Sequence, residues 1–409
     1  MLGKVTGRRD FLRLSASTLM LWGTTPNSAL SSSVPEGVLV VVFQRGAADA
    51  LHMVVPYRER SYRELRGNLA LREPGRGEDS TLDLGDGFAF HPALKPLYSH
   101  YEAGRLAVLM NVGSPDPTRS HFDAQDYMES GTPGRKSTRS GWLARAIGSM
   151  NMKSGGAFTA VALAAQMPRS LAGADDAIAL EDFSKLDFRA GTDPLVSAIE
   201  EQYGNDRNKE LLDASQDGFE AMRLFREKAP LSIPTREGVR YPGGRGGNPL
   251  RQLAQLIKGD LGIRVALVNS DGWDTHFGQG TSTGQMANLL NNLSGGLAAF
   301  VEDVGSSIPM TVLVVTEFGR TVAINGAGGT DHGHGGAMFV LGGRVQGSRV
   351  YGDWIGLDKK NLHDGRDLPV TTDYRDVFYE VAESTLDING SADLFPGYLV
   401  NPINVMRKS

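Results

Sequence analysis

The chain has 409 residues, of which 40% are apolar and 22% charged, with a formal net charge of -5. This is globular composition, long enough for one large domain or two ordinary ones, and its mild acidity argues against a nucleic-acid binder that needs a basic face. With no cysteine in the sequence, disulfides and thiolate metal sites are excluded, and any metal must be held by His, Asp, Glu, Asn or hydroxyls.

Residues 1–29 read as an export signal. Arg8 and Arg9 are adjacent, Phe11 and Leu12 follow, an apolar stretch runs to about Trp22, and small residues suit cleavage near Ala29. The pattern is that of a twin-arginine signal, so the expected partner is the twin-arginine translocation machinery and the expected location periplasmic or extracellular. The apolar stretch is short for a membrane span, and the mature form is expected to have none.

The mature chain, 30–409, opens with VLVVVF at 38–43, a continuous β-branched run of the kind found in strands buried on both faces. Similar runs start at 106, 263, 311 and 337, and helix-like segments start at 120, 193, 209, 248, 283 and 371. Strands alternating with helices predict an α/β fold with a mostly parallel central sheet flanked by helices on both faces. Two stretches, 61–92 and 228–249, read as surface insertions on a single domain, the second from its Pro, Gly and Arg content.

In such sheets ligands bind beyond the carboxyl ends of the strands, and the polar residues fall there. Asp49 follows the first strand. Ser114, Thr118, Ser120 and His121 follow the second, Asp271, Asp274 and His276 follow the run from 263, and Glu317 closes the run from 311. The cluster GTDHGHGG, with Asp331, His332 and His334, precedes its strand instead. It reaches the same edge only if that strand is antiparallel or the loop folds back.

Asp274 and His276, two apart, put a carboxylate and an imidazole on one side of an extended segment, a set that suits zinc or another divalent metal. The plainer reading is a helix-capping aspartate. In GTDHGHGG the glycines permit close backbone approach around three possible ligands, and local sequence does not rank His332 against His334. Ser120 starts a helix with Asp123 three residues on, which is a capping pattern and also a hydroxyl placed at a helix N-terminus, where an anion is favoured. Glu317 needs a partner if buried, either a metal or Arg320. Arg45, Arg119 and Arg320 are candidate partners for a substrate anion.

The export signal together with RGAADALHMVVP, SHFDAQDYMESG, GWDTHFGQ, TEFGRT and GGTDHGHGG, spread from about 36 to 400, resembles the DUF1501 family of exported bacterial proteins. That family is grouped with the alkaline phosphatase and sulfatase superfamily. The resemblance implies an alkaline phosphatase-like fold and a divalent-metal centre, with zinc expected, at the carboxyl edge of the sheet. It implies hydrolysis of phosphate or sulfate esters, with Ser120 or Thr118 as nucleophile. By position, Asp49, Asp274, His276 and His332 or His334 would be ligands, and Glu317 a ligand or a support for one. Where the superfamily has Asp-His after the late strand, this chain has Glu317 and Phe318, one imidazole short of a two-metal site. An exported binding or assembly protein for anionic polysaccharide, keeping the fold without turnover, is the alternative.

Overall fold

The computed structural model describes residues 20–22, 37–150, 156, 158–185, 221–243, 247–388 and 390–407. Of the expected export signal only Met20–Trp22 falls within them, as a short strand antiparallel to Ala177–Ala179. The paired arginines, the cleavage region, the helix expected from 193 and most of that expected from 209 lie outside the described residues.

The strands of the large sheet are β1 (Val38–Arg45), β2 (Leu106–Gly113), β3 (Ala160–Leu163), β4 (Ala177–Ala179), β5 (Val265–Asp271), β6 (Met310–Thr316), β7 (Gly336–Gly342) and β8 (Arg349–Tyr351). The helices that position the site or cover the sheet are α1 (Arg60–Arg66), α2 (His121–Ser130), α3 (Trp142–Ser149), α4 (Asn248–Lys258), α5 (Gln285–Val304) and α6 (Tyr374–Leu386). After the Met20–Trp22 strand the spatial order is β4-β3-β5-β1-β6-β7-β2-β8, with Thr372–Asp373 also pairing with β2. β1, β3, β4, β5 and β6 are mutually parallel, and β2 and β8 run the same way. Only β7, antiparallel to both β6 and β2, and the Met20–Trp22 strand run against them. The chain is therefore α/β with a mixed, mostly parallel central sheet.

The continuous apolar run of β1 has its physical reason in this sheet. Val38, Val40 and Val42 enter one core, while Leu39, Val41 and Phe43 enter the other, as the two-residue period of a strand requires. On the first face they meet Leu250, Leu253 and Leu256 of α4 and Leu290 and Leu297 of α5. On the second they meet Trp142 of α3 and Val377, Phe378 and Val381 of α6. Each such side chain contributes about 1.5–3 kcal/mol by leaving water.

The stretch 61–92 is built into this core. It holds α1 and two strands of a small antiparallel sheet, Leu82–Gly85 and Phe88–Phe90, the latter also pairing with Val54–Val55. Tyr62, Arg66, Phe88 and Phe90 are buried. Arg66 in particular cannot be a surface residue, because the carboxylate it neutralises is itself buried.

The antiparallel direction of β7 decides where the glycine-rich loop lies. β1, β5 and β6 end together, with Gln44 opposite Thr316 and Arg45 opposite Asp271. Because β7 begins at that edge, the segment 317–335 between β6 and β7 never leaves it. Among the described residues no helix is long and apolar enough to cross a membrane.

Candidate metal centre

Three loops meet at this edge, and glycines weld them. A Cβ on Gly319 would sit 1.9 Å from the Gly335 carbonyl oxygen, and one on Gly329 would sit 2.4 Å from the backbone of His276. Backbone hydrogen bonds fill the space that the missing side chains leave. Gly319 N donates to the His334 carbonyl and Gly333 N to the Gly319 carbonyl, both at 2.8 Å, and Thr330 N donates to the Thr275 carbonyl at 3.2 Å. The loop after β5 is thereby fixed against the loop before β7.

The consequence is a convergence of three imidazoles on one carboxylate. Asp274 Oδ1 lies 3.0 Å from His276 Nε2 and 3.2 Å from His332 Nε2, and the two Nε2 atoms are 3.0 Å apart. His121 Nε2 approaches the other oxygen, Asp274 Oδ2, at 3.6 Å. One ligand atom each from His121, Asp274 and His332 lies within 4.8 Å of the others.

The far side of each ring is held by an oxygen that accepts. His276 Nδ1 donates to Asp331 Oδ1 at 2.9 Å, His332 Nδ1 to the Arg119 carbonyl at 2.9 Å, and His121 Nδ1 to Glu317 Oε1 at 2.8 Å. Burial would raise the Glu317 carboxyl, but hydrogen bonds from His121, Gln125 and the Gly46 amide outweigh it and hold it below the usual range. The Asp331 carboxyl is lowered first by Asn325, with His276 adding to it. Both are ionised and, like the Arg119 carbonyl, can only accept, so a proton sits on each Nδ1 and each Nε2 is turned inward.

Two Nε2 atoms facing each other at 3.0 Å need a cation between them, either a proton carried by one ring or a metal ion held by both. Metal-ligating histidines characteristically have the other ring nitrogen hydrogen-bonded to a carboxylate or carbonyl in this way. Tetrahedral zinc with bonds of about 2.0–2.1 Å sets its ligand atoms slightly more than 3 Å apart, which is the size of the Asp274–His276–His332 triangle. His121 Nε2 is buried without a hydrogen-bond partner, a second sign that this ring awaits a cation. Its basicity is raised chiefly by the Glu317 hydrogen bond, against burial, whereas burial lowers that of His332. Burial would also raise the Asp274 carboxyl, but Arg320, whose Nη1 is 2.6 Å from Oδ1, holds it down. Asp274 does not cap α5, whose N-cap is Gly284, without a side-chain cap.

The other expected site residues fall elsewhere. Asp49 is buried in a two-pronged ion pair with Arg66, at 2.5 and 2.7 Å, and also accepts from Gln279 at 2.8 Å. With both oxygens engaged it stands as part of the core beneath the edge, not as a ligand of the imidazole cluster. His334 packs against His363 with ring centroids 4.3 Å apart and the planes tilted by 33°, and burial pulls its pKa down to about 4. Glu317 lies behind His121 and positions it. Ser120 caps α2, its Oγ accepting from Asp123 N at 3.5 Å, and it lies in the chain between Arg119 and His121, which both contact the centre. Arg45 is paired with Glu129 at 2.6 Å, Arg119 with Asp364 and Asp367, and Arg320 with Asp274.

His121, placed at this edge by the sequence but not among the expected ligands, is the further contributor. The available signal is its separation of four from Gln125, which puts both on one face of α2, where both bond the same oxygen of Glu317. No curated protein matches the chain. The family model described as "Protein of unknown function (DUF1501)" matches residues 37–395, and the chain belongs to that family.

Proposed function

We propose that this chain is an exported, metal-dependent hydrolase of phosphate or sulfate esters, with an alkaline phosphatase-like site reduced to one divalent ion. Asp274, His276 and His332 hold the ion and His121 completes the set. The observation that carries this reading is the 3.0 Å approach of two Nε2 atoms whose Nδ1 protons are both committed elsewhere. Imidazole and carboxylate donors without thiolates suit zinc. A divalent ion there stabilises charge developing on an ester's oxygens. Arg320 fixes Asp274, Asp331 fixes His276, and Glu317 fixes His121, so the donors need no rearrangement on binding.

Phe318 supports one ion rather than two. It follows Glu317, is buried, and stacks on His121 with centroids 5.0 Å apart, where the resemblance would put a further imidazole. The same observation favours the second reading, a binding protein for an anionic polysaccharide that needs a site but no turnover.

Elemental mass spectrometry of protein purified without chelator tests the centre, beside His276→Ala and His332→Ala. About one tightly held ion per chain, lost in both variants, supports it. Metal-free protein that is equally stable with and without added ions sinks the hydrolase reading. Export is tested separately: Arg8→Lys with Arg9→Lys should stop it, and unchanged export defeats the twin-arginine route.

A further inference from the structure

Beneath the centre, a chain of hydrogen bonds joins the Asp49–Arg66 ion pair to Asp274. Its midpoint is Gln279, which lies between β5 and α5 and is wholly buried. Gln279 Nε2 donates to Asp49 Oδ2 at 2.8 Å, and Gln279 Oε1 accepts from Thr275 Oγ1 and Thr330 Oγ1, each at 2.9 Å. Both threonines are buried, and both are chain neighbours of the centre: Thr275 stands between Asp274 and His276, and Thr330 precedes Asp331.

The direction of each bond in this chain is fixed from the Asp49 end. Burial would raise the Asp49 carboxyl, but Arg66 holds it below the usual range, so Asp49 is ionised and can only accept. The Gln279 amide must therefore turn its NH2 toward Asp49 and its oxygen toward the two threonines, whose hydroxyl protons point at it. Thr330 Oγ1 then faces Arg320 with lone pairs only, and Arg320 Nε donates to it at 3.3 Å while Nη2 donates to the Thr330 carbonyl. With two nitrogens held by Thr330, the guanidinium presents Nη1 to Asp274 Oδ1 at 2.6 Å. That oxygen is the one nearest His276 and His332. An amide turned the other way would point donors at both hydroxyls and swing the Thr330 proton toward the guanidinium.

We infer that Gln279 is a positioning residue of the metal centre, which orients Asp274 through Thr330 and Arg320 and holds the backbone between Asp274 and His276 through Thr275. This rests on the one-ion centre proposed above. A buried amide that ties loops together serves stability alone when its partners end in the core. Here they end on the carboxylate around which the imidazoles gather, and partners behind a ligand set its orientation and hence the affinity of the site.

Chelator competition on the metal-loaded protein tests it, beside urea unfolding of the same samples. Gln279→Met keeps the length of the side chain and removes the amide, and Thr330→Val keeps the shape of threonine and removes the hydroxyl. Each should weaken metal affinity about tenfold, a loss that leaves the content of a tightly held ion unchanged. The double variant should also lose about tenfold and not about a hundredfold, because both substitutions break one chain. Thr385→Val is the control. It removes a buried hydroxyl bond to Thr311, at the opposite end of β6, and should lower stability with metal affinity unchanged. If Gln279→Met does not fold, Thr330→Val carries the same expectation alone. Unchanged affinity in either folded single variant, losses that multiply in the double variant, or an equal loss in Thr385→Val overturns the inference. Unvaried protein that carries no metal overturns the centre beneath it, and the elemental measurement reads that outcome independently of the competition.

Discussion

His276 Nε2 and His332 Nε2 lie 3.0 Å apart although 56 residues separate them in the chain, and each ring is anchored from behind by an accepting oxygen. The anchors make the pair rigid and fix which nitrogen faces inward. Removing an anchor should therefore weaken metal binding without unfolding anything.

Asp331→Asn tests this. Asp331 is exposed, and its loss leaves the core untouched. Metal affinity should drop about 10–100-fold, the usual effect of losing a partner of a ligating histidine. Competition against a chelator reads the change, and unchanged affinity would mean that His276 is not held through Nδ1.

Arg66→Ala addresses Asp49. It strands a buried carboxylate and should cost about 3–5 kcal/mol in urea unfolding. Asp49→Asn should leave the metal content of the folded protein intact. Loss of the ion from a folded Asp49→Asn protein would return Asp49 to the ligand set.

A pH effect follows from His52. Burial, partly opposed by the charge of Asp49, pushes its pKa down to about 3, and its Nδ1 is buried without a partner. The unfolded chain binds a proton near the ordinary value of about 6.5 while the folded chain resists it, so acid favours unfolding. The associated stability is intact above about pH 6.5 and is drained as pH falls toward about 3, amounting to about 2 kcal/mol between about pH 7 and 5. Urea titrations of the protein and of His52→Met at both pH values should show a shallower loss in the variant. Parallel losses would assign the acid sensitivity to other groups.

Ser120 carries two roles that different substitutions separate. Ser120→Ala should cost about 1 kcal/mol as a lost helix cap, whereas Ser120→Asn keeps a capping oxygen. If the hydroxyl is the nucleophile, both variants lose turnover of any ester the protein hydrolyses. Turnover retained in Ser120→Asn would assign the attack to water.

Much of the sheet is legible in the sequence. The apolar runs at 38, 106, 263, 311 and 337 became β1, β2, β5, β6 and β7, because side chains buried on both faces leave a nearly continuous apolar trace. β3 and β4 are not legible. Rich in alanine, at Ala160–Leu163 and Ala177–Ala179, they have little strand propensity of their own and are ordered by the neighbours they pair with. Asp274 and His276 converge as their spacing of two predicts, since both extend from one stretch of backbone.

By itself, then, the sequence determined the α/β class, the family, and the edge of the sheet on which polar chemistry gathers, because strand periodicity and local motifs are short-range properties. Tertiary structure alone decided which polar residues meet. It drew Asp49 into the core, where Arg66 neutralises it, sent His334 to His363, and brought His121 from a separate helix to Asp274. The physical reason is that a buried charge or a bare lone pair must find its partner in space, and the direction of β7 and the close glycine contacts set which partners are within reach.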